Sequence, residues 1–361
     1  MKLALLRRKF SATGGAELYL QRLLRALADG GHDVHLFTES WQEKPQGVTV
    51  HPIAVSGSRA ELPLRFAEAA QRELEGEKFD CVFSLERTIR QDVYRAGDGL
   101  HRVWLERRAA FSPWWKKPFL SHGAFHRNML AQESRTFDPA NTGRIIVNSE
   151  MVKREIIAHF NFPLERIHLV RNGVDIARYR LGRRAETRAR FGVKDDEFLL
   201  LFIGSGWWRK GVGFLIRALR ELAGEKVKLL VVGRGRKPCC APGNVLFSGP
   251  MSDTENACAA ADLFTFLPVY EPSANVCFEA LAAGLPVVTT AQNGAAEVIG
   301  EGVNGSIIAR PDDKAALLKA IRFWKDRPDS RPVETGFDLS LERNVLETLS
   351  VLKLAATEKG R

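Results

Sequence analysis

Two carboxylates, Glu271 and Glu279, bracket the stretch EPSANVCFE, between the apolar run LFTFLPV and the small-residue segment ALAAGLPVVTT. A strand that turns into a helix in this way leaves backbone N–H groups open at the helix start, where an anionic phosphate is favoured. A carboxylate beside that start accepts hydrogen bonds from sugar hydroxyls. Ser273, Ala274, Asn275 and Val276 would then line the turn. Upstream, the apolar run EFLLLFIG leads into GSGWWRKGV, which sets Arg209 and Lys210 between Gly206 and Gly211. Arginine grips two phosphate oxygens as a fork, lysine adds a mobile point charge, and glycines let a backbone come close. Cations for a pyrophosphate and carboxylates for hydroxyls together suit a nucleotide diphosphate sugar.

These groups need a scaffold of strands ending at one edge. The pattern supplies it, because apolar strand-like runs alternate with amphipathic helical periods throughout, the signature of parallel sheets with crossover connections. At the amino terminus KLALL reads as a buried strand, SATGGAE as a glycine loop carrying Gly14 and Gly15, and LYLQRLLRALADGGH as a helix. With 361 residues the chain suits two α/β domains. The strand-like RIHLV before NGVD marks a junction near Val174, giving an amino-terminal domain over 1–173 and a carboxy-terminal domain over 174–361. A terminal helix is expected over about 340–357.

The net charge of +10 calls for an anionic partner. Between His101 and Leu120 the sequence interleaves Arg102, Arg107, Arg108, Lys116 and Lys117 with Trp104, Phe111, Trp114, Trp115 and Phe119. Arg107, Arg108, Trp114, Trp115, Lys116 and Lys117 suit the headgroup region of an anionic membrane, against the plainer reading of a helix packed by its aromatics. No repeat or zinc-finger pattern supports nucleic acid as the partner. No apolar run is long enough to span a membrane, and MKLALLRRKF has the wrong order for a secretory signal. Five cysteines without C-x-x-C spacing point to a reducing cytoplasm, with the Cys239–Cys240 pair read as incidental. No zinc spacing or D-x-D motif appears, so neither metal nor cofactor is expected.

Taken in order, GGAE, GDGLH, NGVD, the Arg209–Lys210 pair and the Glu271 to Glu279 stretch resemble the retaining glycosyltransferases of family 4, over nearly the whole chain. The resemblance implies the GT-B fold, two Rossmann-like domains facing a cleft, with a terminal helix crossing back to the first. It implies that Glu271 contacts donor sugar hydroxyls, Glu279 holds the ribose, and Gly15 meets a phosphate. Asp98 is expected to act on the acceptor hydroxyl or the anomeric centre, and His101 to bind a donor hydroxyl. No protein nucleophile is required. One departure stands out: the family often has glycine at Ala274 and an aliphatic residue at Asn275.

The strings ESWQ, GDGLH and GSGWWRKG are similar to enzymes that add glucose to heptose of the lipopolysaccharide inner core. That resemblance implies transfer of glucose from a UDP-linked donor to a lipid-linked acceptor, by a cytoplasmic protein lying on the inner face of the membrane. A polyisoprenyl-linked glycan or a soluble sugar phosphate stays open as acceptor. So do a sugar-nucleotide epimerase and a basic nucleic-acid module as functions.

Overall fold

The computed structural model describes residues 1–9, 15–41, 46–238, 240–327, 331–333 and 335–360. Gly14 of the expected glycine loop and Cys239 of the cysteine pair lie outside them. The chain divides into two compact units, one of Met1–Arg171 with the segment from Glu342 onward, the other of Asn172–Leu341.

In the first unit, seven parallel strands form one sheet: β1 (Lys2–Leu6), β2 (Asp33–Thr38), β3 (Val48–Pro52), β4 (Cys81–Ser84), β5 (Gln91–Arg95), β6 (Thr142–Val147) and β7 (Ile167–Leu169). Their order is β3-β2-β1-β4-β5-β6-β7. Helices α1 (Gly15–Asp29), α2 (Leu62–Glu75), α3 (His101–Ala110), α4 (Ala124–Thr136) and α5 (Glu150–Phe160) make the crossovers. Ser149 starts α5 by accepting from the Val152 N–H, as the capping preference of serine predicts. Nearly all strand side chains in β1 and β6 are buried, as a parallel sheet covered on both faces requires.

The second unit holds six parallel strands: β8 (Phe198–Ile203), β9 (Val227–Val232), β10 (Val245–Gly249), β11 (Leu263–Phe266), β12 (Val287–Thr290) and β13 (Gly305–Ile308). The order is β10-β9-β8-β11-β12-β13. Helices α6 (Ile176–Tyr179), α7 (Arg184–Arg190), α8 (Val212–Leu219), α9 (Thr254–Ala260), α10 (Asn275–Ala282) and α11 (Lys314–Lys325) connect and cover it. One apolar core, from Leu199–Phe202 of β8 through Phe264 and Phe266 of β11 to Ile321 and Trp324 of α11, runs through both faces.

The terminal helix α12 (Leu341–Lys359) packs in the first unit. Thr348 lies 3.3 Å from the Tyr19 hydroxyl, and Glu358 takes Arg144 Nε at 2.9 Å. Both sheets thus show the doubly wound order of the Rossmann type, two of them in one chain with a returning helix, which is the GT-B architecture.

In such sheets the strand order reverses at a point beyond which ligands gather, outside the carboxyl ends of the two flanking strands. In the second unit this point lies between the paired strands β8 and β11. The loop after β8 carries Arg209 and Lys210, and the loop after β11 carries Glu271. Gly211 closes the first of these at φ +84°, where an added Cβ would stand 1.9 Å from the Leu267 carbonyl oxygen. Gly211→Ala should therefore cost about 2–3 kcal/mol from the left-handed backbone and the overlap together. A urea unfolding midpoint equal to that of the parent protein would contradict this assignment.

Candidate functional site

The loop after β8 is built around Trp207, whose buried indole donates from Nε1 to the Gly204 carbonyl at 3.0 Å and stacks on Phe247. That anchor leaves Gly206 at φ +75° with open space around it and brings Arg209 and Lys210 back over the strand end. The Arg209 carbonyl accepts from the Val269 N–H at 2.9 Å, which ties the two loops together. Arg209 then reaches Glu271, Nη1 to Oε2, at 3.0 Å. The Lys210 ammonium lies 5.5 Å from the Phe266 ring centroid and passes over Gly204. Burial lowers its pKa, with Arg209 adding to the shift and Glu271 and Glu279 opposing it. The four charges singled out in the sequence are therefore within electrostatic reach of one another.

Glu279 sits on α10 one turn into the helix, and it is not the solvated residue that its helical spacing alone allows. Burial raises its carboxyl above the ordinary 4.5, while the Tyr179 phenol, Arg178 and Lys210 pull the other way. Tyr179 also lies 2.9 Å from the Thr254 hydroxyl, and Arg178 pairs with Glu255 at 2.7 Å. Neither Tyr179 nor Arg178 stood out in the sequence, although they lie only four and three residues beyond Asp175 of the quoted NGVD.

Between the carboxylates, the turn at Pro272–Ala274 is held by Asn293, which is almost wholly buried. Its Oδ1 accepts from the N–H groups of Ala274 and Ala295, both at 3.1 Å, and its Nδ2 donates to Thr289 Oγ1 at 2.9 Å. The Asn172 side chain donates to the Ser273 carbonyl at 3.1 Å and to Asn275 Oδ1 at 2.6 Å. The Ala274–Asn275 departure has a physical reading here. Ala274 has φ −74° and ψ 111°, extended backbone that needs no glycine, and Asn275 trades an aliphatic contact for a bond to Asn172. Helix α10 starts without a side-chain cap, leaving its leading N–H groups open beside Val276.

Three buried polar atoms at this place have no hydrogen-bond partner among the described residues: Glu271 Oε2, Ser273 Oγ and Gln292 Oε1. For Glu271 Oε2, the nearby Arg209 supplies charge without a hydrogen bond of good geometry. Orphaned groups of this kind cost about 1–3 kcal/mol each, so they are retained where a ligand satisfies them. Ligand hydroxyls can donate to the Glu271 and Gln292 oxygens, while the Ser273 hydroxyl can donate or accept.

In the first unit, Gly15 opens α1 behind β1, next to the reversal point between β1 and β4. Asp98 is exposed in the turn beyond the carboxyl end of β5. His101 begins α3, its Nε2 2.9 Å from His126 Nδ1. Burial, the Arg87 charge and His126 push its pKa down to about 4, so the ring is neutral near pH 7. Sequence reasoning missed the group that fixes this turn. Glu133 of α4, fully buried, accepts from the N–H groups of both His101 and Arg102, and Arg87 donates to the Gly99 carbonyl at 2.7 Å. A carboxylate reaching in from another helix leaves no local spacing to read.

The basic aromatic stretch leaves α3 and becomes a short 3-10 helix over Trp114–Phe119. Its rings do not pack inward: Trp114, Trp115 and Phe119 are 78%, 56% and 73% exposed. Lys116 and Lys117 are exposed beside them, as is Arg107, and Arg108 is half-buried. Among the described residues no helix is long and apolar enough to cross a membrane.

The raised carboxyl of Glu279 makes a pH prediction. A group whose folded pKa lies above its unfolded value contributes stability below the unfolded value, and that contribution is lost as pH rises through the folded one. Glu279→Gln should hence stabilise the protein at about pH 8, with the difference closing by about pH 4. Equal gains at both pH values in thermal denaturation would count against the burial of this charge.

Comparison with known proteins agrees with the fold. Residues 13–178 match the family described as Glycosyltransferase Family 4, and residues 197–325 match Glycosyl transferases group 1. Lipopolysaccharide glucosyltransferase WaaG of Escherichia coli (strain K12) is 26% identical over 337 residues, covering 87% of each chain. The D-inositol 3-phosphate glycosyltransferase of Arthrobacter sp. (strain FB24) is 26% identical over 351 residues, covering 85% of this chain and 82% of its own. The crystal structure of WaaG, a glycosyltransferase involved in lipopolysaccharide biosynthesis, superposes with a TM-score of 0.78 at 25% identity, over 98% of both chains.

Proposed function

The chain belongs to the family 4 glycosyltransferases, and on that premise we propose that it moves a hexose, glucose in our reading, from a UDP-linked donor to a lipid-linked glycan acceptor. Transfer proceeds with retention at the anomeric carbon and without a metal. The observation that carries the reading is the meeting of Arg209 and Lys210 with Glu271 and Glu279 where the strand order of the second sheet reverses.

When the glycosidic bond to the nucleotide breaks, negative charge grows on the β-phosphate. Arg209 and Lys210 stabilise that charge more in the transition state than before it, which is where binding energy accelerates a reaction. A lysine already sheltered from water does this more strongly than a solvated one, since its field is less screened. Gly206, with open space where a side chain would stand, leaves room for the pyrophosphate to approach the backbone. The open N–H groups at Asn275 and Val276 receive phosphate oxygens.

Glu271, ion-paired to Arg209, and Ser273, whose Oγ has no hydrogen bond among the described residues, take hydroxyls of the donor sugar, and Ala274 presents its backbone to the same group. Glu279, braced by Tyr179, takes the ribose. Asp98, exposed at its strand end, orients the acceptor hydroxyl, and neutral His101 serves as a hydrogen-bonding group for the donor. The departing phosphate helps to remove the acceptor proton, so no side chain need act as nucleophile.

The acceptor reading, heptose of a lipopolysaccharide inner core, rests on the similarity to WaaG and on the exposed tryptophans with their lysines. Aromatic rings at the headgroup level and cations facing anionic lipid would hold the protein on the inner face of the cytoplasmic membrane. The similarity to a D-inositol 3-phosphate glycosyltransferase favours a soluble phosphorylated acceptor, such as a sugar phosphate, as the second reading.

Assaying a panel of nucleotide sugars for hydrolysis, then adding truncated lipopolysaccharide or inositol phosphate, tests donor and acceptor together. Turnover to an epimerised sugar nucleotide with no acceptor present would overturn transfer as the function. Lys210→Ala should lower transfer by one or more orders of magnitude with unchanged circular dichroism, and near-parental turnover would remove Lys210 from the mechanism. Replacing Trp114, Trp115, Lys116 and Lys117 together by Ser should weaken sedimentation with anionic vesicles but spare turnover of a short soluble acceptor. Unaltered sedimentation would return this segment to a purely structural role.

A further inference from the structure

At the β3 edge of the first sheet lies a cluster that sugar transfer does not use. The register pairs His35 with Thr49 and Phe37 with His51, so His35 of β2 and His51 of β3 share one sheet face. His35 is buried and His51 half-buried. Their facing nitrogens, His35 Nδ1 and His51 Nε2, are 2.8 Å apart. Glu77, just beyond α2, brings Oε2 to 3.8 Å from His35 Nδ1. One ligand atom from each of these three side chains lies within 4.8 Å of the others.

A fourth residue fixes the chemistry of the first. His35 Nε2 stands 3.1 Å from Asp33 Oδ1, so it carries the proton and donates to that carboxylate. The lone pair is then on Nδ1, aimed at His51 and Glu77. A histidine oriented by a carboxylate behind it is the usual support of a metal-binding imidazole, and it raises the ring's basicity as a ligand.

We propose that His35, His51 and Glu77 form a site for a divalent transition metal of the zinc type, with Asp33 as the supporting carboxylate. Two imidazoles and one carboxylate make a donor set suited to Zn²⁺, with water completing a tetrahedron. Bond lengths of about 2.0–2.1 Å place tetrahedral ligand atoms about 3.3 Å apart. The 2.8 Å pair opens by about half an ångström and the 3.8 Å pair closes by about as much, movements that half-buried His51 and exposed Glu77 accommodate. Lys2 is the one cation at the cluster among the described residues, and it engages the other Glu77 oxygen, Oε1, leaving Oε2 to the metal. Asp33, Glu73, Glu77 and Asp80 surround Lys2 and His51 with acidic charge, so a dication is electrostatically welcome. Bound metal would clip β2 and β3 to the chain leaving α2. Ligands drawn from two strands and a loop have none of the close spacings by which zinc sites are read in sequence.

The test is to titrate Co²⁺ into the full-length, chelator-treated protein and follow its visible d–d absorption, then to displace it with Zn²⁺. One saturable equivalent with tetrahedral band intensity and no thiolate charge-transfer band is expected, along with a higher melting temperature. Glu77→Gln, at an exposed position, and His51→Gln should each weaken binding at least tenfold, and Asp33→Asn by about 10- to 100-fold. No saturable binding would overturn the site, and so would binding that persists unchanged in Glu77→Gln and His51→Gln or that carries a thiolate band. Sugar transfer should be indifferent to the chelator, so this outcome is separate from that of the transferase reading.

Discussion

Two cations and two carboxylates meet where the second sheet reverses its strand order, and the sheltered members, Lys210 and Glu279, are each partly compensated by opposite charge. A lysine taken out of water loses hydration, which shows in its lowered pKa, and Glu271 and Glu279 offset part of that loss. Glu279 shows the converse, a carboxyl pushed towards its neutral form by burial and pulled back by Arg178 and Lys210. Such a group of charges is balanced without being satisfied. Glu271 Oε2 keeps no hydrogen bond, and neither does its neighbour Ser273 Oγ. On the proposed reading, a pyrophosphate and a sugar complete what the protein leaves open.

The scaffold follows from that need. Parallel strands put every carboxyl end on one edge, and the reversal between β8 and β11 parts the loops that follow them. Trp207 and Gly211 shape the first loop, Asn293 the second, and the Arg209 carbonyl with the Val269 N–H joins them. The first unit uses the same architecture with different charges: a buried Glu133 caps α3 and steadies the turn bearing Asp98 and His101.

Much of this was legible in the sequence because strands buried on both faces read as nearly continuous apolar runs: β8 is unbroken, β9 is interrupted only by Lys228, and β11 and β12 add buried threonines. The Arg209–Lys210 pair and the Glu271 to Glu279 stretch were legible because each is local, set by one loop or one helical turn. Groups that act from a distance were not. Glu133 comes from another helix, Asn293 from the loop after β12, and Tyr179 looks like an ordinary core aromatic until its hydroxyl is placed beside Glu279. The exposure of Trp114 and Trp115 was open for the same reason, since periodicity alone gives such rings an inward or an outward face.

The central claim, that the paired cations hold a diphosphate, is tested most directly by calorimetric binding of uridine, its monophosphate and its diphosphate to the parent protein and to Arg209→Ala. The account predicts that affinity climbs with the second phosphate, that the climb weakens with added salt, and that Arg209→Ala removes most of it while sparing the nucleoside. Equal affinity for the mono- and diphosphate in the parent protein would contradict it.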